Sequence, residues 1–159
     1  MLAKCLSATL IGIDAVVVEV EVNVTGGLPK WTMVGLPEGA ARECYPRVRT
    51  AMTNAGLDFP MKTVVVNLAP ADLRKEGVML DLPLAIGLLI GDNVLTPGDA
   101  EKTMFLGELA LDGRLRPVQG ALPAALCARG QGFDRLFLPQ ENAAEAAVVD
   151  GLDVYGAGT

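Results

Sequence analysis

Residues 15–24 read AVVVEVEVNV. Val16, Val18, Val20, Val22 and Val24 fall on one side of an extended chain, with Glu19, Glu21 and Asn23 on the other. Apolar side chains at a two-residue period mark a strand with one face on a core. Residues 4–10, KCLSATL, form a second extended run, and Gly12 and Asp14 between the two predict a hairpin.

Working outward, residues 25–29 (TGGLP) read as a loop and residues 31–34 as a short third strand. Residues 35–38 (GLPE) lead into a helix that ends near Asn54, with Gly56 suited to cap it. Pro46 either opens the regular part of that helix or kinks it. Residues 62–68 (KTVVVNL) are a β-branched strand. A helix follows over residues 81–90, with Asp81 expected at its N-cap and Pro83 in its first turn. Residues 103–110 predict a strand, Asp112-Gly113 a tight turn, and residues 114–118 the return strand. Helices over residues 121–129 and 140–148 alternate with strands over residues 135–138 and 152–155. Three leading strands followed by alternating β and α segments predict an α/β (α+β) two-layer sandwich with a mixed sheet. Residues 1–155 form the domain in this reading, and residues 156–159 begin a linker.

Composition narrows the chemistry. A chain of 159 residues suits one domain, and a formal net charge of −6 disfavours autonomous nucleic-acid binding. The longest apolar run, residues 82–90, is far shorter than the ~20 residues that span a bilayer, so no membrane partner is expected. Cys5, Cys44 and Cys127 are widely spaced, which reads as a reduced, cytoplasmic chain. The sequence has no histidine, which removes histidine-based triads and metal sites. Its one serine is Ser7. No Walker A string occurs, so no ATP site is expected within these residues.

The segment with most chemical character is residues 70–89, PADLRKEGVMLDLPLAIGLL, a charged loop running into an apolar helix. Arg74 and Lys75 could meet a phosphate, but Asp72, Glu76 and Asp81 make the local balance negative. Arg74 and Lys75 are therefore read as solvated or ion-paired, and the three acids as a weak Mg²⁺ candidate only. Arg42, Arg47 and Arg49 lie on or near one predicted helix, and Arg42 and Arg49 are spaced to share a face. Arg114 and Arg116 flank the Asp112-Gly113 turn. These cations are candidates for subunit or DNA contact, with a solvated face as the plainer alternative. Trp31 is either an interface anchor or core.

Three blocks carry a family resemblance: residues 10–43, LIGIDAVVVEVEVNVTGGLPKWTMVGLPEGAARE; VNLAPADLRKEG, residues 66–77, followed by DLPLAIGLL; and residues 105–128, FLGELALDGRLRPVQGALPAALCA. They resemble the N-terminal domain of the ComM/YifB proteins, also called magnesium-chelatase-like or competence proteins. The resemblance implies a Lon-protease-like fold, shared with the second domain of a small-subunit ribosomal protein. It implies an AAA+ ATPase domain downstream that holds ATP and Mg²⁺, and a hexameric parent that promotes DNA branch migration in natural transformation. The implied partners are the chain's own AAA+ domain, neighbouring subunits, and DNA through the full-length parent.

A Lon-type peptidase pairs a serine in a K-D-G-P-S-A-G loop with a lysine in a later G-G-L-K segment, the lysine acting as base. Lys75-Glu76-Gly77 resembles the start of that loop, and Gln119-Gly120-Ala121-Leu122 resembles the later segment. The serine position falls on Met79 and the lysine position on Leu122. The resemblance thus implies a domain without catalysis that serves assembly, partner docking or DNA positioning. The alternatives are a residual Ser-Lys peptidase, for which Ser7 is the only nucleophile of its kind, or a magnesium-chelatase-like accessory domain.

Overall fold

The computed structural model describes residues 1–159 apart from Asp72, Arg74, Glu76 and Gly77. In chain order the elements are β1 (Leu2–Ile11), β2 (Asp14–Thr25), β3 (Lys30–Val34), α1 (Glu38–Asn54), β4 (Thr63–Ala69), α2 (Asp81–Gly91), β5 (Thr103–Phe105), β6 (Glu108–Leu109), β7 (Leu115–Arg116), α3 (Ala121–Gly130), β8 (Arg135–Pro139), α4 (Ala143–Ala146) and β9 (Asp153–Ala157). β1 and β2 form the expected antiparallel hairpin, in register from Leu2–Asn23 to Ile11–Asp14. β4 pairs antiparallel with β2, and β3 runs parallel to β4. On the other side β5, β8 and β9 follow β1 in parallel. The sheet is therefore mixed, with the order β3-β4-β2-β1-β5-β8-β9, while β6 and β7 pair separately.

Four of the five valines of the stripe are buried as their period predicts, while Val16, near the hairpin turn, is exposed. Val18, Val20, Val22 and Val24 are buried with Val64, Val66 and Leu68 beneath Val48 and Met52 of α1 and Leu84 and Leu88 of α2. A second apolar cluster joins Ala8, Met104, Leu136 and Leu138 to the alanines of α3. Met104 and Phe105 are neighbours in β5 yet belong to different clusters, so the clusters occupy opposite faces of the sheet. The expected two-layer sandwich is corrected to helices on both faces. Short parallel strands such as TMF and RLFLP are apolar on both sides and carry no alternation that would reveal which face is covered.

Other expectations also shift at their ends. The strand expected over residues 103–110 breaks after Phe105. Leu106 N–H donates to Phe137 O at 2.9 Å, and Gly107 then leaves the sheet to give its N–H to Met79 O at 3.0 Å and accept from Leu82 N at 3.1 Å. A Cβ on Gly107 would stand 2.8 Å from Leu115 Cδ2, so any larger residue at this crossing would have to displace the Leu115 side chain. α1 starts at Glu38 and carries Pro46 in its interior, forgoing one ladder bond there. The helix expected over residues 140–148 shrinks to a 3₁₀ turn and α4, because Asn142 gives its side chain to both the N–H and the C=O of Val118, each at 2.9 Å. β9 runs on to Ala157 and Gly158 O accepts from Leu115 N at 2.9 Å, so residues 156–158 are held by the domain.

α2 lies close on the sheet because two of its residues are glycines one turn apart. A Cβ on Gly87 would stand 2.7 Å from Val22 Cγ2, and one on Gly91 2.8 Å from Val24 Cγ2. Gly87→Ala is expected to destabilise the fold by about 1–3 kcal/mol through overpacking against a stiff valine. Gly39→Ala, whose Cβ meets nothing within 4 Å, should be neutral or stabilising by up to about 1 kcal/mol. Urea unfolding of the two variants beside the parent chain measures the contrast.

Candidate functional site

The loop before α2 delivers Asp81 to the junction of α1, α2 and β6. Its carboxylate is fully buried and does not cap the helix, contrary to the N-cap expectation. Arg47, from the middle of α1, donates Nε–H to Oδ2 at 2.6 Å and Nη2–H to Oδ1 at 2.9 Å. Leu109 N–H donates to Oδ2 at 3.0 Å, and the Cys44 thiol faces Oδ1 at 3.8 Å. A guanidinium meeting a carboxylate through two parallel bonds is among the stronger polar contacts in proteins. The position of Asp81 at the start of α2 adds favourable helix-dipole charge.

The electrostatics follow from burial. Desolvation pushes the Asp81 carboxyl above its ordinary range, while the bonds from Arg47 and Leu109 act in the opposite sense. The Asp81 carboxylate raises Arg47 further and keeps it cationic. Burial pushes the Cys44 thiol up to about 12, with Asp81's charge adding to the effect. Burial alone pushes Cys5 up to about 12.

The sequence candidates distribute unevenly around this junction. Met79 is buried and Leu122 half-buried, and both pack into the apolar cluster on the α3 face. The structure thus brings the two positions into one cluster. Ser7 is fully buried and donates its hydroxyl to Phe105 O at 2.6 Å. Lys75, read from the sequence as solvated or ion-paired, is buried: it is 5% exposed and donates to Gly35 O at 3.0 Å and Leu73 O at 2.9 Å. Arg74 lies outside the described residues, as do Asp72 and Glu76 of the weak Mg²⁺ candidate, whose third member Asp81 is engaged by Arg47. Arg42 is exposed and pairs with Glu38 on its own helix. Arg49 is half-buried and stands over Tyr45 and Phe59, so it does not share Arg42's environment. Arg114 pairs with Asp112 at 2.7 Å, and with the exposed Arg116 it lines a cleft of about 540 Å³.

The Asp81–Arg47 pair escaped the sequence reading, although a signal was present. Arg47 falls at helical spacing among Cys44, Val48 and Ala51, so it sits on the buried stripe of α1. Asp81 is the only charged residue of α2. A second missed grouping is aromatic: Trp31, Tyr45 and Phe59 meet with ring centroids 5.0–5.9 Å apart, from three separate segments.

With this arrangement described, comparison with known proteins becomes informative. The family described as subunit ChlI of Mg-chelatase matches residues 20–142, well over half of the chain. The chain belongs to this ChlI family. Among its relatives, the competence protein ComM of Haemophilus influenzae is 42% identical over 158 residues, covering 99% of this chain and 31% of that protein. A protein named YifB from Salmonella typhimurium, uncharacterized, is 45% identical over 139 residues, covering 87% of this chain and 27% of its own length. An uncharacterized protein of Mycobacterium tuberculosis is 42% identical over 158 residues, again 99% of this chain and 31% of the relative. This ChlI-family chain therefore spans less than a third of the relatives it matches. The ComM/YifB resemblance read from the three sequence blocks is thus shown. No helix among the described residues is long and apolar enough to cross a membrane.

Two outcomes are expected of the junction. Arg47→Met alone leaves a buried carboxylate unpaired and should cost about 3–5 kcal/mol, whereas Arg47→Met combined with Asp81→Leu should recover most of the loss. Urea midpoints of the single and double variants decide this. The buried thiols predict alkaline sensitivity. Below the ordinary thiol value of 9.0 they are neutral in both folded and unfolded chains, so their contribution is intact. Above it the unfolded chain ionises while Cys5 and Cys44 stay protonated to about 12, so stability falls across that window. The loss approaches about 1.4 kcal/mol per thiol per pH unit. In the native chain at mildly alkaline pH, iodoacetamide should label only the half-buried Cys127, and all three cysteines should react in urea.

Proposed function

We propose that this chain is the non-catalytic, Lon-like front domain of a ChlI-family AAA+ protein and that it serves ring assembly, partner docking or DNA positioning. The observation that supports the reading most is that Met79 and Leu122 both pack into one apolar cluster, where a Ser-Lys dyad would need a hydroxyl and an amine. Ser7 spends its hydroxyl on a backbone carbonyl inside the sheet. ATP and Mg²⁺ belong, in this reading, to the segment beyond residue 159. The sequence offers no Walker A loop, and the Asp81 carboxylate is occupied by Arg47 and Leu109, so these residues do not fit either group. The name of the Haemophilus relative, a competence protein, favours competence as the setting, and in this reading the parent is a hexameric branch-migration motor.

The test begins with the coding sequence beyond Thr159, where a Walker A string followed by an acidic Walker B strand is expected. Deleting residues 1–159 from that parent should leave nucleotide binding intact and impair assembly or branch migration. A parent fully active in both without these residues overturns the proposal. Purified chain should hydrolyse no peptide, and hydrolysis abolished by Ser7→Ala would restore the peptidase alternative.

A further inference from the structure

The hollow beside the aromatic grouping is about 270 Å³ and is walled by Trp31, Tyr45, Phe59 and Met61. Lys30, Arg49 and Lys62 join the lining with Pro29 and Val64, and no carboxylate does. Three cations in one hollow stand out on a chain of net charge −6. Lys62 is compensated by Asp92 at 2.7 Å. Among the described residues Lys30 and Arg49 have no ion-pair partner. Arg49 donates only to the Tyr45 hydroxyl at 2.7 Å and to the Met61 sulfur at 3.7 Å. Its guanidinium lies 5.9 Å from the Tyr45 centroid and 5.7 Å from that of Phe59, within cation–π range.

The polar imbalance points one way. The Trp31 indole nitrogen is buried with no acceptor among the described residues. The Tyr45 hydroxyl accepts from Arg49 and keeps its own proton to give. The one buried side-chain polar atom without a partner among the described residues is thus a donor, and its desolvation cost makes the surroundings of the hollow short of acceptors. Flat aromatic walls select a planar π-system. The hollow falls just below the ~300–1,000 Å³ of drug-sized pockets, so it suits one ring unit.

We infer that this hollow is a binding site for a planar, acceptor-rich anion, namely a single nucleobase carrying its phosphate, taken either as a free nucleotide or as one unit of a single strand. The base lies against the aromatic walls, where stacking tolerates any base. Arg49 and Lys30 meet the phosphate. Its single-strand form deepens the DNA-positioning role proposed above and rests on it, whereas its free-nucleotide form concerns only residues of this chain.

Trp31 is the only tryptophan, so its fluorescence reports on the hollow itself. The 159-residue chain is titrated with thymidine monophosphate, with a short oligothymidylate, and with inorganic phosphate. Saturable quenching by the mononucleotide or the strand, weakening with salt, is expected. Equal effects per nucleotide identify a free nucleotide as the source, and a tighter strand identifies single-stranded nucleic acid. Arg49→Ala should weaken binding about tenfold or more, as loss of a charge-assisted contact does. Lys30→Ala, an exposed position with no folding role, should weaken it with an unchanged urea midpoint. No saturable change with either nucleotide probe, full reproduction of the effect by inorganic phosphate, or unchanged affinity in both variants would each overturn the inference.

Discussion

The rest of the architecture depends on a buried charge pair. Asp81 and Arg47 tie the middle of α1 to the start of α2, and the Leu109 N–H adds the β6–β7 hairpin to the same carboxylate. Taking both ions out of water carries a desolvation cost that mutual attraction only offsets when geometry is good and the remaining lone pairs are used. Here two guanidinium bonds and one backbone N–H use them. Apolar helices can slide on an apolar sheet with little change in buried area, whereas a carboxylate with three fixed donors has one position. The pair therefore adds a directional constraint to helices that apolar packing, and for α2 the close fit of Gly87 and Gly91 on Val22 and Val24, already place.

That constraint also explains the disposition of the charged loop. Gly107 exchanges backbone bonds with Met79 and Leu82, and Lys75 turns inward onto the carbonyls of Gly35 and Leu73. The segment entering α2 is thus fastened on both sides of its charged centre. A loop that might have offered cations to a phosphate spends at least one of them on its own backbone. Other cations stand elsewhere, among them the exposed Arg116 at the cleft beside β7, and the half-buried Arg49 with Lys30 at the aromatic hollow.

Much of the fold was legible wherever a period could be counted. The valine stripe of β2, the hairpin to β1 and the apolar run of α2 all register in the sequence because one face of each meets a core. Legibility failed where an element is buried on both faces. Residues 103–105 and 135–139 show no alternation, so the sequence concealed the second helical layer packed by the alanines of α3. Strand ends failed for a different reason. The break at Gly107 is imposed by Met79 and Leu82, which lie far away in sequence. The candidate site shows the same division. The apolar identities at Met79 and Leu122 could be read by position. The partnership of Asp81 with Arg47, the inward turn of Lys75 and the meeting of Trp31, Tyr45 and Phe59 required the tertiary fold, because each joins residues from separate segments.

The last strand has a mechanical consequence. β9 pairs in parallel with β8 from Asp153 to Ala157, and Gly158 O then holds Leu115 N. Leu115 pairs with Leu109, and Leu109 donates to Asp81. Tension at the carboxyl end would load the five residue pairs of the β8–β9 ladder in shear together, then pass through the small hairpin to the head of α2. A pull at one edge of the sheet is delivered to the charged junction between the helices by a short chain of hydrogen bonds. The domain is wired as a strain relay from its trailing end to its most constrained point.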